Sequence, residues 1–199
     1  MASLSPHSRR TPLGNWRDSV NPQDMINTTI APTNDKEAAI LTALDPGAYT
    51  AIVRGVGGTT GVGPVEAYDL DSTVDSKLAN ISTRGLVQTG DNVMIGGFIV
   101  TGATPTNTLI RALGPSLPVM GALADPTLEL HDGNGAVIAT NDNWKDTQQA
   151  AIEATTIPPT NDAESAIVQT LAPGAYTAIV RGKNNTTGVA LVEAYQLGN

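Results

Sequence analysis

Six hard oxygen donors crowd two short stretches of this sequence: Asp132 and Asn134 in HDGNG, then Asn141, Asp142, Asn143 and Asp146 in NDNWKD. Carboxylate and amide oxygens on loops are the ligands calcium takes. Asp132, Asp142 and Asp146 are the side chains expected to touch such an ion if one binds, and no other cofactor is implied. The spacing is not that of an EF-hand loop. The same Asp and Asn residues also build turns, by bonding their own backbone, so both readings stand. A carboxylate pair for glycoside hydrolysis has candidates in Glu129, Glu153, Asp162 and Glu164 beside the three aspartates, but nothing in their spacing singles out two.

Other catalytic chemistry finds few residues to use. There are two histidines, His7 and His131, and no cysteine. Thiolate metal sites, cysteine nucleophiles and disulfides are therefore excluded. Ser116 in GPS lacks the strand-turn-helix elbow of serine hydrolases. No phosphate loop, dinucleotide fingerprint or HExxH zinc motif is present. The expectation is a chain without a catalytic site.

Two tryptophans stand in like settings, Asn15-Trp16-Arg17-Asp18 and Asn143-Trp144-Lys145-Asp146. An exposed indole stacks on sugar rings, but a repeated Trp more often anchors a core or an interface. With Tyr49 and Tyr68, Trp16 and Trp144 are the expected interface residues. Arg54 and Arg181 close a repeated strand, and Glu66 and Glu193 sit in the next. A cross-strand Arg–Glu pair is the expected arrangement.

These pairs belong to an internal repeat. Residues 46–55 and 173–182 both read PGAYTAIVRG, PTND recurs at 32–35 and 159–162, TTGV at 59–62 and 186–189, and VEAY at 65–68 and 192–195. The period is about 127 residues, with a one-residue slip before PTND. The copies are unequal. The second, over 72–199, is complete. The first, over 15–71, has no counterpart of residues 76–142. Residues 1–14 (MASLSPHSRRTPLG) carry basic residues but no apolar signal-peptide core. Pro6 and Pro12 suit them to an extended arm along a sheet edge.

In the complete copy the pattern predicts strands over 86–89, 93–100, 108–113, 127–131, 136–139, 166–171, 175–181 and 189–197, with a short helix over 148–154. The Gly96-Gly97 pair marks a bulge or a close backbone approach, and Asp132-Gly133-Asn134-Gly135 marks a hairpin. Short strands at this spacing imply an all-β chain, an antiparallel, jelly-roll-like β-sandwich. Aromatics are only 4% of the 199 residues, so the core is aliphatic. The net charge of −8 excludes a phosphate-binding surface, and hence nucleic acid as a partner. No apolar run is long enough to span a membrane.

The run from 128 to 197 resembles the bacterial pre-peptidase C-terminal domain: HDGNG, Asn141-Asp142-Asn143, then Pro173-Gly174-Ala175-Tyr176-Thr177. The fuller unit, with LANISTRG at 78–85 and LIRALGPSL at 109–117, is similar to tandem repeats of large secreted proteins of environmental Gram-negative bacteria. The resemblance implies a β-sandwich in an extracellular or cell-surface protein, with a structural or accessory binding role. The truncated copy then points to a protein that self-assembles into a filament or surface layer, a neighbour completing the partial repeat. A polysaccharide-binding or adhesive module is the alternative.

Overall fold

The computed structural model describes residues 2–5, 14–19, 21–71 and 78–197. The chain divides into two compact units, Met1–Ser76 and Lys77–Asn199.

The second unit is the antiparallel sandwich expected of it. Strands β3 (Asn80–Val87), β4 (Met94–Val100), β5 (Thr106–Leu113), β6 (Pro126–His131), β7 (Val137–Asn141), β8 (Ser165–Leu171), β9 (Gly174–Gly182) and β10 (Gly188–Gln196) form two four-stranded sheets. Their orders are β3-β10-β5-β8 and β4-β9-β6-β7. The pairs β3·β10, β4·β9, β5·β8 and β6·β7 nest inside one another, as in one long antiparallel ribbon rolled into a sandwich. This is jelly-roll topology.

The core between the sheets is aliphatic: Val87, Met94, Ile110, Leu123, Leu128, Leu130, Ile167, Val180 and Val192 are buried together. Sheet separation there depends on one missing Cβ. A methyl on Gly96 would stand 2.9 Å from Val192 Cγ1. Gly96 of the pair thus marks a close approach across the core, and β4 runs through both glycines in unbroken register with β9. A second cluster covers the outer face of the first sheet. Trp144 and Ile152, from the loop and short helix α2 (Gln149–Ala154), pack on Leu109 and Ala166. Adjacent residues of β5 are consequently buried on both faces, which is why its sequence does not alternate.

The first unit differs from the three-strand half-sandwich that the repeat predicts. Its local turns match those of the second copy. Trp16 N–H bonds Glu37 O at 2.8 Å, as Trp144 N–H bonds Glu164 O at 2.8 Å. Thr29 and Thr156 both take φ of 66°, after equivalent short helices, α1 (Pro22–Asn27) and α2. Tyr49 Oη donates to Asp45 O at 2.8 Å, and Tyr176 Oη to Ala172 O at 2.9 Å. The strands do not match. Of the three expected, only β2 (Thr50–Val53) is formed, and it pairs with β1 (Ala2–Ser5) of the N-terminal arm. The equivalents of β8 and β10 are irregular.

The topology gives the physical reason. We call residues 78–142 the head of the complete repeat and 143–197 its tail. Of the six strand pairings in the second unit, five join head to tail, and β6·β7 is the only other. No tail strand pairs with another tail strand: β8 borders β5, β9 lies between β4 and β6, and β10 lies between β3 and β5. A tail without a head has strand sequences but nothing to hydrogen-bond them to each other, and a strand without a ladder leaves its backbone groups to water.

Candidate functional site

The expected calcium ligands are spread over separate local structures. Asp132 Oδ1 accepts the N–H groups of Asn134 and Ala136, both at 2.9 Å, and so closes the β6–β7 hairpin. Those two amides, Ala136 first, hold its carboxyl below the usual carboxylate range. Asp146 accepts Asn143 Nδ2 at 3.0 Å, the same side-chain bond that Asp18 makes with Asn15 in the first copy. Asp142 Oδ2 pairs with Lys183 Nζ at 2.7 Å, and Asp125 Oδ2 lies 3.5 Å from the same ammonium. The Asp142 contact, ahead of Asp125, raises the lysine pKa against the opposing effect of burial. Asp125 and Asp142 each keep one buried carboxylate oxygen without a hydrogen-bond partner, and the positive charge between them is Lys183. Among the described residues no group of three or more His, Asp or Glu side chains is placed to hold a metal ion.

His131 lies at the same hairpin. Its Nδ1 is 3.1 Å from Gly135 O and its Nε2 is 3.1 Å from Glu129 Oε2. The Gly135 carbonyl, with help from Glu129 and against burial, raises its pKa above the ordinary 6.5. The folded hairpin therefore favours the protonated ring. That contribution is complete below the histidine pKa of the unfolded chain and is lost as pH rises through the raised folded value. We expect the unfolding midpoint of the second unit to fall slightly between about pH 6 and about pH 8. In His131→Gln that part of the pH dependence disappears. Urea titrations of both proteins at the two pH values check this.

The charged residues buried in the second unit are not those expected. β9 and β10 lie in different sheets, so the expected Arg181–Glu193 pair does not form. Arg181 Nε instead lies 3.6 Å from Glu129 Oε1. Glu193 pairs with Arg111 on β5, the two side chains being only 9% and 12% exposed. Arg111 donates through Nε to Glu193 Oε2 at 3.0 Å, through Nη1 to Ile157 O at 2.6 Å, and through Nη2 to Tyr195 Oη at 3.0 Å. Ser82 Oγ donates to the other carboxylate oxygen at 3.2 Å. Burial first, then the Glu193 charge, push the Tyr195 phenol pKa up against the Arg111 charge.

A second carboxylate, Glu164, is fully buried. Its Oε1 accepts the N–H groups of Gly114 and Ser116 at 3.1 and 3.0 Å and the Ser116 hydroxyl at 2.5 Å. Both networks join the LIRALGPS segment of the head to the tail. An arginine inside an otherwise apolar strand, and a glutamate inside another, were the signals available in the sequence.

A solved structure similar to this chain is the pre-peptidase C-terminal domain of a collagenase from Bacillus anthracis, at 18% identity and a TM-score of 0.38, covering 58% of this chain and 88% of that one. Likeness at that level carries no residue roles across. No protein-family model matches the sequence, and no curated protein does.

The residues expected at an interface fall into two groups. Trp16 and Trp144 are 2% and 5% exposed. Each is buried inside its own unit, with Arg17 over the first indole at 4.2 Å and Lys145 over the second at 5.1 Å. Tyr49 and Tyr68 are open, at 37% and 53% exposed. Their counterparts are engaged: Tyr176 stacks on Phe98 of β4, with ring centroids 5.7 Å apart, and Tyr195 joins the Arg111 network. The aliphatic positions show the same contrast. Leu44, Val53 and Val65 are 50%, 51% and 50% exposed, whereas Leu171, Val180 and Val192 are 3%, 0% and 4% exposed. Fully burying each such side chain contributes about 1.5–3 kcal/mol. Residues 39–70 are thus a run of core-type side chains in the open.

His7, Pro6 and Pro12 lie outside the described residues. Among the described residues no helix is long and apolar enough to cross a membrane.

Proposed function

We propose that this chain is a non-catalytic structural protein of the cell exterior that assembles, as a filament or surface layer, when a neighbouring subunit supplies the strands its partial repeat lacks. The observation that carries this reading is the interleaved topology. Every strand of a tail takes its partners from a head, and the first copy has a tail alone. An open half-repeat with unpaired backbone and uncovered aliphatic side chains is an acceptor for strand addition. Building into a filament by exchange needs no new fold, because domain swapping reuses contacts the chain already makes. The secreted proteins that the repeat resembles support a location outside the cell. Catalysis has no support from the residues: the buried carboxylates Glu164 and Glu193 are fully occupied by backbone amides, hydroxyls and Arg111.

The test is sedimentation velocity of the intact chain over a wide concentration range, with hydrogen exchange read over residues 39–70. We expect association to grow with concentration, and protection of 39–70 outside the β1·β2 ladder at 50–53 to appear only in the associated species. A chain that sediments as a monomer throughout, with those residues unprotected, sinks the self-assembly reading.

A further inference from the structure

The repeat specifies what completes the acceptor, and two carboxylates specify how it is recognised. Glu37 and Glu66 of the first copy stand at the positions of Glu164 and Glu193. Glu37 keeps the bond internal to a tail, from Asn34 N–H to its Oε2 at 3.3 Å, which Glu164 makes with Asn161 at 3.3 Å. The first copy has no counterpart of Gly114, Ser116, Ser82 or Arg111, and both Glu37 and Glu66 are exposed. The partial repeat therefore carries, among its exposed aliphatic side chains, two exposed carboxylates at positions that the head fills in the complete copy. Glu37 stands where Glu164 takes the amides and hydroxyl of the Gly-Pro-Ser turn, and Glu66 stands where Glu193 takes Arg111.

We infer that the occupant of the partial repeat is a head half-unit of the LIRALGPS type, its arginine paired with Glu66 and its Gly-Pro-Ser turn with Glu37. Resting as it does on the acceptor reading, this choice follows from the repeat: Arg111 and the turn through Gly114 and Ser116 are what Glu193 and Glu164 hold in the complete copy. A second tail does not serve instead, because tail strands never pair with one another in the complete repeat. A head without its own tail fills the acceptor outright. Such a head has only the β6·β7 hairpin to hold it, so it orders as it binds.

The experiment adds a synthetic polypeptide with the sequence of residues 78–142 to the intact chain, read by sedimentation and by hydrogen exchange over 39–70. The expected result is a one-to-one complex in which 39–70 becomes protected and self-association is suppressed. Glu66→Gln or Glu37→Gln in the chain, or the counterpart of Arg111→Ala in the polypeptide, should each weaken binding about tenfold to a hundredfold, as expected for a lost bond to a buried charge. The Glu66 and Arg111 changes combined should cost little more than either alone.

Self-association with protected 39–70, but no binding of the polypeptide, would overturn the head as occupant and leave the acceptor reading intact. No protection of 39–70 under any condition would overturn both. Undiminished binding by the Arg111→Ala polypeptide would overturn the recognition by Glu66. If the free polypeptide aggregates, the same sequence placed ahead of residue 14, in place of residues 1–13, should give the chain a second cooperative unfolding transition that Glu66→Gln lowers. Its absence counts against the proposal.

Discussion

Arg111→Ala should destabilise the second unit by about 3–5 kcal/mol, the usual cost of removing one partner from a buried ion pair. The change strips Glu193 Oε2 of its arginine while the carboxylate stays only 9% exposed. It also frees Ile157 O and Tyr195 Oη, which the same guanidinium holds. Since small domains are stable by about 5–15 kcal/mol, the loss is about a third or more of a mid-range stability, and the variant should unfold at clearly lower urea than the parent chain. Circular dichroism against urea measures it. The double variant Arg111→Met with Glu193→Met should recover much of the loss, because an apolar pair of similar volume carries no buried charge. If Arg111→Ala unfolds at the urea concentration of the parent chain, the ion pair is not part of what holds head to tail.

Gly182→Ala should cost about 3 kcal/mol or more, at or above the usual range for overpacking. The alanine methyl would stand 2.0 Å from Thr186 O, a backbone atom fixed by the turn that leads from β9 into β10. Rotamer changes cannot relieve that clash, so the turn must open and β10 must shift between its two neighbours. The same substitution in the first copy makes an informative contrast. A methyl on Gly55 would stand 1.9 Å from Thr59 O, an equivalent clash. Yet the residues after it belong to no sheet, and only the short β1·β2 pair lies before it. Calorimetry should show the main transition lowered by about 10 °C in Gly182→Ala and unmoved in Gly55→Ala. Equal shifts in the two variants would mean that the copies unfold as one body.

Much of the complete repeat can be read from residue pattern. Turn residues delimit the strands from β4 onward to within about two positions, as at Asp132-Gly133-Asn134-Gly135, where Asp132 closes the hairpin it was expected to mark. The first strand, expected over 86–89, instead runs over Asn80–Val87, where alternating polar residues and Gly85 hide it. Gly96 shows where backbone and core come close. Strand order is a different matter. Neighbours in sequence are neighbours in space only about two times in three, and a jelly roll departs from that rule at most of its strands. Adjacency in sequence predicts an Arg181–Glu193 pair. The fold sends β9 and β10 to opposite sheets and gives Glu193 the distant Arg111 instead. The state of the first copy is illegible for the same reason. Its residues are as strand-like as those of the second, and only the interleaving of head with tail shows that they lack partners. Trp16 and Trp144 are buried as repeated tryptophans usually are, and no pattern along the chain distinguishes Glu37 and Glu66 from ordinary surface carboxylates.

The nested ribbon also sets the order in which the second unit forms. As the chain leaves the ribosome, residues 80–131 emerge with no strand partner among themselves, and the first pairing that can close is β6·β7, across a four- to five-residue turn. Every later pairing encloses a longer loop: β5·β8, then β4·β9, then β3·β10, which joins the two ends of the unit. Loop-closure entropy rises with each step, so the roll zips outward from its innermost hairpin and finishes only when the last strand is made. Contacts this distant in sequence make folding slow, and the unit stays open to solvent and to other chains until β10 is in place.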